Sequence, residues 1–313
     1  MKPKHIAVNL RHPQVAYWTL EERQLAPLHR AFPEAIVTLC GSTSEFEACL
    51  PQADVCMVWN FRQEWFGLAP HLSVVSTPSA GRDYFTVTPP EGVRMLYGGF
   101  HGRIIGETVC GMLLGMCRGI LPAVTRYADA AWPRAELHTS QHSLFGSKVT
   151  ILGFGRIGQT IGRLLKGFGV RIRGMRRDMS APRPAWFSVD DTVFPPEQLD
   201  AFLADTDHLI LALPRTDETE NLLDTRRLAL LPPHATLVNI GRGNAIDEAA
   251  LCRALESGAL AGAFLDVFRE EPLPEESPLR RCPNLWRLPH ASAIAPDYLD
   301  LYVSELTERL KEL

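Results

Sequence analysis

A chain of 313 residues, 46% of them hydrophobic, exceeds the usual extent of one core and predicts two domains. A formal net charge of -4 without a long block of like charge excludes a general electrostatic pull toward nucleic acid or an acidic membrane, and points to a small, diffusible substrate. Seven cysteines (Cys40, Cys49, Cys56, Cys110, Cys117, Cys252, Cys282) form an odd number without Cys-x-x-Cys pairs or Cys/His zinc spacing, which argues against a disulfide framework and a structural metal site and fits a reducing compartment.

Met1–Leu10 carries two lysines with no apolar stretch behind them. Glu107 and Arg118 interrupt the apolar segment Ile104–Ile120, so neither a signal peptide nor a membrane span is predicted and the expected location is the cytoplasm. Through about the first hundred residues, short apolar runs at His5–Asn9, Ala35–Leu39, Val55–Trp59, Leu72–Ser76 and Val93–Tyr97 alternate with helix-compatible stretches, the pattern of parallel α/β structure. From Arg103 to Tyr127 the apolar residues (Ile104, Met112, Leu113, Met116, with Thr108 among them) recur at helical spacing and predict one long helix connecting the domains, whose apolar side also suits a dimer interface. After a loop at Trp132 and Pro133, a second alternating series runs through Val149–Leu152, Val170–Met175, Leu209–Leu213, Thr236–Ile240 and Gly262–Asp266. A last apolar run, Leu285–Leu288, precedes a predicted C-terminal helix from about Pro296 to Leu313.

The run at Val149 leads directly into Gly153-Phe154-Gly155-Arg156-Ile157-Gly158, a Gly-x-Gly-x-x-Gly between a strand and a helix. The first glycine permits a tight turn, the second lets backbone approach a pyrophosphate, the third lets helix and strand pack closely, and the amides around Arg156 and Ile157 at the helix start receive the anion. The motif alone does not separate this from an ordinary glycine-rich turn; the flanking strand, helix and following strand do. At the end of that next strand, where NAD-binding proteins usually carry an acid for the ribose, the chain reads Met175-Arg176-Arg177-Asp178. Arginine pairs with a 2′-phosphate that an acid would repel, so Arg176 and Arg177 favour NADP(H) over NAD(H). Arg176 is the first residue placed to face the ribose; Asp178 is the competing candidate, and a solvated arginine turn is the bland alternative.

Three further segments each follow a strand-like run: Asn239-Ile240-Gly241-Arg242-Gly243, Asp266-Val267-Phe268-Arg269-Glu270-Glu271-Pro272 and Pro289-His290-Ala291-Ser292. Ligands of open α/β sheets bind outside the carboxyl ends of the strands, so all three can converge with the glycine loop. Reducing a 2-keto acid needs a cation for carboxylate and carbonyl, a proton donor for the developing alkoxide, and a group that keeps the donor protonated; Arg242, His290 and Glu271 supply these. Taken singly, each is more often a structural histidine, a surface arginine or a solvated acid.

In order and approximate spacing these four segments resemble the D-isomer-specific 2-hydroxyacid dehydrogenase family over nearly the whole chain. The resemblance implies a flavodoxin-like substrate domain at residues 1–101, a Rossmann dinucleotide-binding domain at 102–288, and a C-terminal segment, 289–313, that returns to the substrate domain, with cleft closure excluding water. It further implies that Arg242 orients the substrate, that Glu271 hydrogen-bonds His290, that His290 exchanges the proton, and that the loop Ser79-Ala80-Gly81 holds the substrate carboxylate through backbone amides. Thr108, Ile240, Asp266 and the Leu213-Pro214 to Thr219 loop fall at cofactor-contacting positions, and no metal is implied. The expected reaction is NADPH-linked reduction of a small 2-keto acid, glyoxylate or hydroxypyruvate first, by a homodimer with neither nucleic acid nor membrane as partner. Two departures stand out: Arg176 replaces the family's common acid, and Ser79-Ala80-Gly81-Arg82-Asp83 differs from its usual Gly-x-Gly-x-Asp-like loop. A chain ending at Leu313 also leaves no room for the regulatory domain of long phosphoglycerate dehydrogenases. The rival reading is a nucleotide-sensing interaction protein similar to the C-terminal-binding corepressors, which share the architecture and keep an equivalent trio. A Rossmann enzyme of other chemistry would need a lysine or cysteine in the crevice, and no such pattern lies near the matched segments.

Overall fold

The first five apolar runs become β1 (His5–Asn9), β2 (Ile36–Leu39), β3 (Val55–Val58), β4 (Val74–Thr77) and β5 (Arg94–Tyr97), hydrogen-bonded in the order β2-β1-β3-β4-β5 with every pair parallel. This is the flavodoxin-like doubly wound order. β3 and β4 are buried at all four positions, which requires continuous apolar runs, whereas the edge strand β2 alternates exposed and half-buried positions. The computed structural model describes residues 2–83, 85–138 and 141–313 and divides into two units, one from the N-terminus to His101 together with Ala293–Leu313, the other Gly102–Ser292.

The C-terminal helix Tyr298–Glu312 belongs to the first unit because its side chains complete that unit's core. Tyr302, fully buried, donates its hydroxyl to Ser76 Oγ at 2.8 Å, Glu305 accepts from the Gly99 amide at 2.9 Å, and Arg309 donates to the Tyr97 carbonyl at 2.7 Å. Burial without water pushes the Tyr302 phenol far above its ordinary range.

The second unit holds β6 (Lys148–Leu152), β7 (Arg171–Met175), β8 (Thr192–Phe194), β9 (His208–Leu211), β10 (Thr236–Asn239), β11 (Gly262–Leu265) and β12 (Leu285–Arg287), a parallel sheet in the order β12-β11-β10-β9-β6-β7-β8. The chain enters at β6, builds outward through β7 to β8, then crosses to β9 on the other flank of β6. That reversal is the Rossmann switch point, and it opens a crevice where β6 and β9 end.

Three features differ from the sequence expectations. β8 is an additional edge strand of three residues, too short to register as an apolar run. The long helix is two, Gly102–Cys117 and Ile120–Thr125, because Gly119 takes φ 68°, the left-handed conformation that terminates helices. Cys252 and Cys282 form a disulfide with Cα atoms 5.7 Å apart; the sequence argument against a framework did not foresee this single bridge, which depends on the packing of helix Glu248–Glu256 near the turn Pro278–Arg280 rather than on cysteine spacing. Among the described residues no helix is long and apolar enough to cross a membrane.

Candidate active site

The three glycines after β6 have three distinct geometries. Gly153 sits at φ 90°, and a Cβ there would lie 2.4 Å from the Ala212 carbonyl oxygen. At Gly158 a Cβ would meet the Gly153 carbonyl at 2.4 Å, so the helix start presses directly on the turn. Gly155 faces open space, with nothing within 4 Å of its would-be Cβ. Helix Arg156–Leu165 starts immediately behind it, holding Gly158, Ile161, Gly162 and Leu165 against the sheet while Arg156 stays exposed and Ile157 half-buried. The helix start and the side-chain-free surface at Gly155 together fit a pyrophosphate.

At the end of β7, Arg176 continues the sheet through its amide, which donates to the Phe194 carbonyl at 3.1 Å. Its guanidinium is turned onto its own loop, donating to the carbonyls of Ala181 and of Pro182, the latter at 3.2 Å. Arg177 beside it is exposed, and its charge adds to the Thr216 hydrogen bond in holding the Glu218 carboxyl below the usual range, which places it toward the loop after β9. Asp178 accepts from the Ser180 hydroxyl and amide, at 2.5 and 2.9 Å, and these bonds keep its carboxyl low.

The loops after β9, β10 and β11 are fitted to one another by backbone. Leu213 and Ile240 are buried, and Thr219 closes the β9 loop by donating to the Pro214 carbonyl and accepting from the Thr216 amide, both at 2.9 Å. Asn239, fully buried, donates its amide to the Arg242 carbonyl and accepts from the Gly241 amide, both at 3.0 Å, so one carboxamide braces both sides of the turn that presents Arg242. A Cβ on Gly241 would lie 2.6 Å from the Leu213 carbonyl oxygen, and one on Gly243 only 1.9 Å from the Phe268 carbonyl carbon. Arg242 itself is half-buried, one guanidinium nitrogen donating to the Gly241 carbonyl at 2.9 Å.

The same Phe268 whose carbonyl meets Gly243 donates its amide to Glu271 Oε1 at 2.9 Å, and Glu271 Oε2 accepts from His290 Nδ1 at 2.8 Å. Nε2 of His290 is thereby the nitrogen left for other chemistry. Burial pushes the Glu271 carboxyl upward; the hydrogen bonds from His290 and Phe268 and the charges of His290 and Arg242 outweigh it and hold the group below the usual carboxylate range. His290 occupies a left-handed backbone conformation, φ 53°, and donates its amide to the Asp266 carbonyl at 2.8 Å. The buried Asp266 carboxylate accepts from the amides of Ala291 and Ser292 at 2.7 and 3.1 Å, while burial pushes its pKa up. Thr108 donates to the Ser292 carbonyl at 3.2 Å. Asp266 and Thr108, matched at sequence level to cofactor contacts, thus also hold the histidine loop in place. Ser79, Ala80 and Gly81 lie in the first unit, after β4, where the Ser79 amide donates to Thr77 Oγ1 at 3.2 Å and the Ser79 carbonyl accepts from Gly98 at 3.0 Å. Sequence reasoning assigned no role to Asn239 or Gly243; an asparagine ending a fully buried strand was the available signal for the first.

Residues 110–292 match the family model described as D-isomer specific 2-hydroxyacid dehydrogenase, NAD binding domain. Glyoxylate/hydroxypyruvate reductase B of Pectobacterium carotovorum subsp. carotovorum (strain PC1) is 35% identical over 234 residues, 71% of this chain and 69% of that one. Among solved structures, a D-isomer specific 2-hydroxyacid dehydrogenase family protein from Aeromonas salmonicida subsp. salmonicida A449 superposes with a TM-score of 0.76 at 32% identity, covering 99% of this chain and 96% of its own. An NADPH-dependent glyoxylate/hydroxypyruvate reductase from Sinorhizobium meliloti, in complex with NADP and sulfate, does so with a TM-score of 0.75 at 27% identity, covering 99% and 95%. With a dinucleotide loop at the switch point and an arginine, glutamate and histidine on the neighbouring strand ends, the chain belongs to the D-isomer specific 2-hydroxyacid dehydrogenases, a family of oxidoreductases.

Proposed function

We propose that this protein is an NADPH-linked reductase of small 2-keto acids, with glyoxylate and hydroxypyruvate as its first substrates. The observation that carries the reading is the 2.8 Å bond from His290 Nδ1 to Glu271, with Arg242 close enough to help keep that glutamate ionised. Glu271 fixes the imidazole so that Nε2 presents a proton to the oxygen developing negative charge, and stabilises the imidazolium before transfer. Arg242 orients the substrate and polarises its carbonyl. The family resemblance assigns the backbone amides of Ser79, Ala80 and Gly81 to the substrate carboxylate. Bound reduced nicotinamide supplies the hydride. Gly153, Gly155 and Gly158 with the amides of Arg156 and Ile157 hold the pyrophosphate, and Thr108, Leu213, Pro214, Thr219, Ile240 and Asp266 line the cofactor's path. In this reading the first unit is the substrate domain and the second the cofactor domain. We place the protein in the cytoplasm as a homodimer; Ile120 and Val124, 54% and 63% exposed on the short helix after Gly119, and Trp132, 80% exposed, supply apolar surface for a second copy.

The purified protein screened against a panel of 2-keto acids with NADH and NADPH should turn over glyoxylate or hydroxypyruvate, faster with NADPH. No turnover on any 2-keto acid with either cofactor overturns the reading in favour of the nucleotide-sensing interaction protein. The solved relative named as NADPH-dependent supports the cofactor choice, and Arg177 is the residue of this chain best placed to make it. Because Arg176 is committed to the carbonyls of Ala181 and Pro182, Arg177→Asp should lower the NADPH/NADH ratio of kcat/KM by about tenfold or more, the scale of one charge-assisted contact turned repulsive. A ratio unchanged in Arg177→Asp and lowered only in Arg176→Asp returns the assignment to Arg176.

A further inference from the structure

Away from the glycine loop, at the amino ends of the second unit's strands, three side chains of metal-ligand type converge. Cys117 closes helix Gly102–Cys117, His142 lies in the segment leading into β6, and His208 opens β9. Their ligand atoms all lie within 4.8 Å of one another, and Cys117 Sγ is 3.7 Å from His208 Nε2. In a tetrahedral zinc site, with Zn–S about 2.3 Å and Zn–N about 2.0–2.1 Å, sulfur and nitrogen ligands stand about 3.5 Å apart. The observed sulfur–nitrogen distance is within a few tenths of an ångström of that value.

We propose that Cys117, His142 and His208 form a zinc site, with water as fourth ligand, that ties the helix end, the approach to β6 and the start of β9 together. His208 and His142 are each held by partners of their own. The pairing of β9 with β10 sets His208 opposite Thr236, and the two side chains share a 2.8 Å hydrogen bond through His208 Nδ1. With Nδ1 engaged by Thr236, Nε2 is the nitrogen that faces Cys117, the outer-sphere arrangement typical of zinc-ligating histidines. The His142 backbone is held to the helix end from both sides: its amide donates to the Cys117 carbonyl at 2.9 Å, and its carbonyl accepts from Arg118 at 3.3 Å. Gln141 adds a bond to the Arg118 carbonyl at 3.2 Å. The two imidazole rings lie nearly parallel, 11° apart with centroids at 5.6 Å. Cys117 and His208 are fully buried and His142 is half-buried, so His142 is the ligand most open to solvent. One thiolate and two imidazoles select zinc or cobalt over the hard cations magnesium and calcium. On binding, the Cys117 thiol gives up its proton to solvent as the sulfur–metal bond forms. The rival arrangement is a Cys117 S–H donating to His208 Nε2 in a closed core, and it binds no metal.

Full-length protein stripped with a chelator and titrated with Co2+ should take up one equivalent per chain, with the ligand-field bands of tetrahedral cobalt and a thiolate-to-metal charge-transfer band. Cys117→Ser should lose the charge-transfer band. His142→Ala, at a half-buried loop position, should weaken binding by about tenfold or more and abolish the rise in thermal midpoint that stoichiometric Zn2+ gives the parent protein. His290→Gln should leave spectrum and stoichiometry unchanged, because the His290–Glu271 pair is a separate cluster. A parent protein without a stoichiometric cobalt spectrum, or a spectrum that survives both Cys117→Ser and His142→Ala, overturns the proposal.

Discussion

His290→Gln is expected to lower kcat for 2-keto acid reduction by about 10²–10⁴-fold, the usual contribution of a positioned general acid, while NADPH affinity stays at the parent value. Glutamine fills a similar volume and can still reach Glu271, but it has no transferable proton at the place of Nε2. The loss therefore falls on kcat, because the group acts on the oxygen that gains charge in the transition state. A variant that keeps full turnover removes His290 from the mechanism. The pH dependence checks the same assignment in the parent enzyme. Reduction needs the proton on the histidine and hydroxy-acid oxidation needs it absent, so reduction fails toward alkaline pH and oxidation toward acid; matching profiles in both directions contradict the role. Glu271 sets a second limit. Its folded carboxyl titrates below the ordinary range, so its support of the imidazolium is present above that range and is lost only as pH falls through the lowered value.

Arg242→Lys should cost about 10²–10³ in kcat/KM for glyoxylate. A guanidinium meets a carboxylate with two parallel donors and remains charged at any working pH, whereas an ammonium is a single point charge on a flexible stem. The turn built by Asn239 and Gly241 fixes the Arg242 backbone, so lysine at 242 starts from the same place and the loss measures the fork itself. Partial recovery on adding free guanidine to Arg242→Ala would identify the missing group. A kcat/KM for Arg242→Lys within about threefold of the parent, against the charge-assisted bonds at stake, would show that 242 binds no substrate carboxylate.

Most of the strand plan was readable because parallel strands covered by helices are written largely as apolar runs, and eleven of them recur along the chain. β8 was unreadable for the converse reason: it is an edge strand of three residues, next to two aspartates at 190 and 191, and among the described residues it pairs with β7 alone. The break at Gly119 was hidden by apolar spacing that runs on through Ile120 and Val124, two residues that face outward, away from the core. Gly153, Arg242, Glu271 and His290 stood out in the sequence because each follows a strand-like run. The turn of Arg176 onto the carbonyls of residues 181 and 182 could not be read, since nothing local to the sequence says so. The Cys252–Cys282 bridge and the Cys117–His142–His208 cluster were illegible for a shared reason: their members are far apart in the chain and meet only after the sheet has formed.

The positive φ of His290 has an evolutionary corollary. A residue with a β-carbon pays about 1–2 kcal/mol to hold the left-handed region, a cost that glycine escapes. Selection for folding alone would therefore drift toward glycine at 290, and selection for turnover must hold the imidazole there against that drift. A lineage that lost its need for the reaction while keeping the fold would show the loss first at this position.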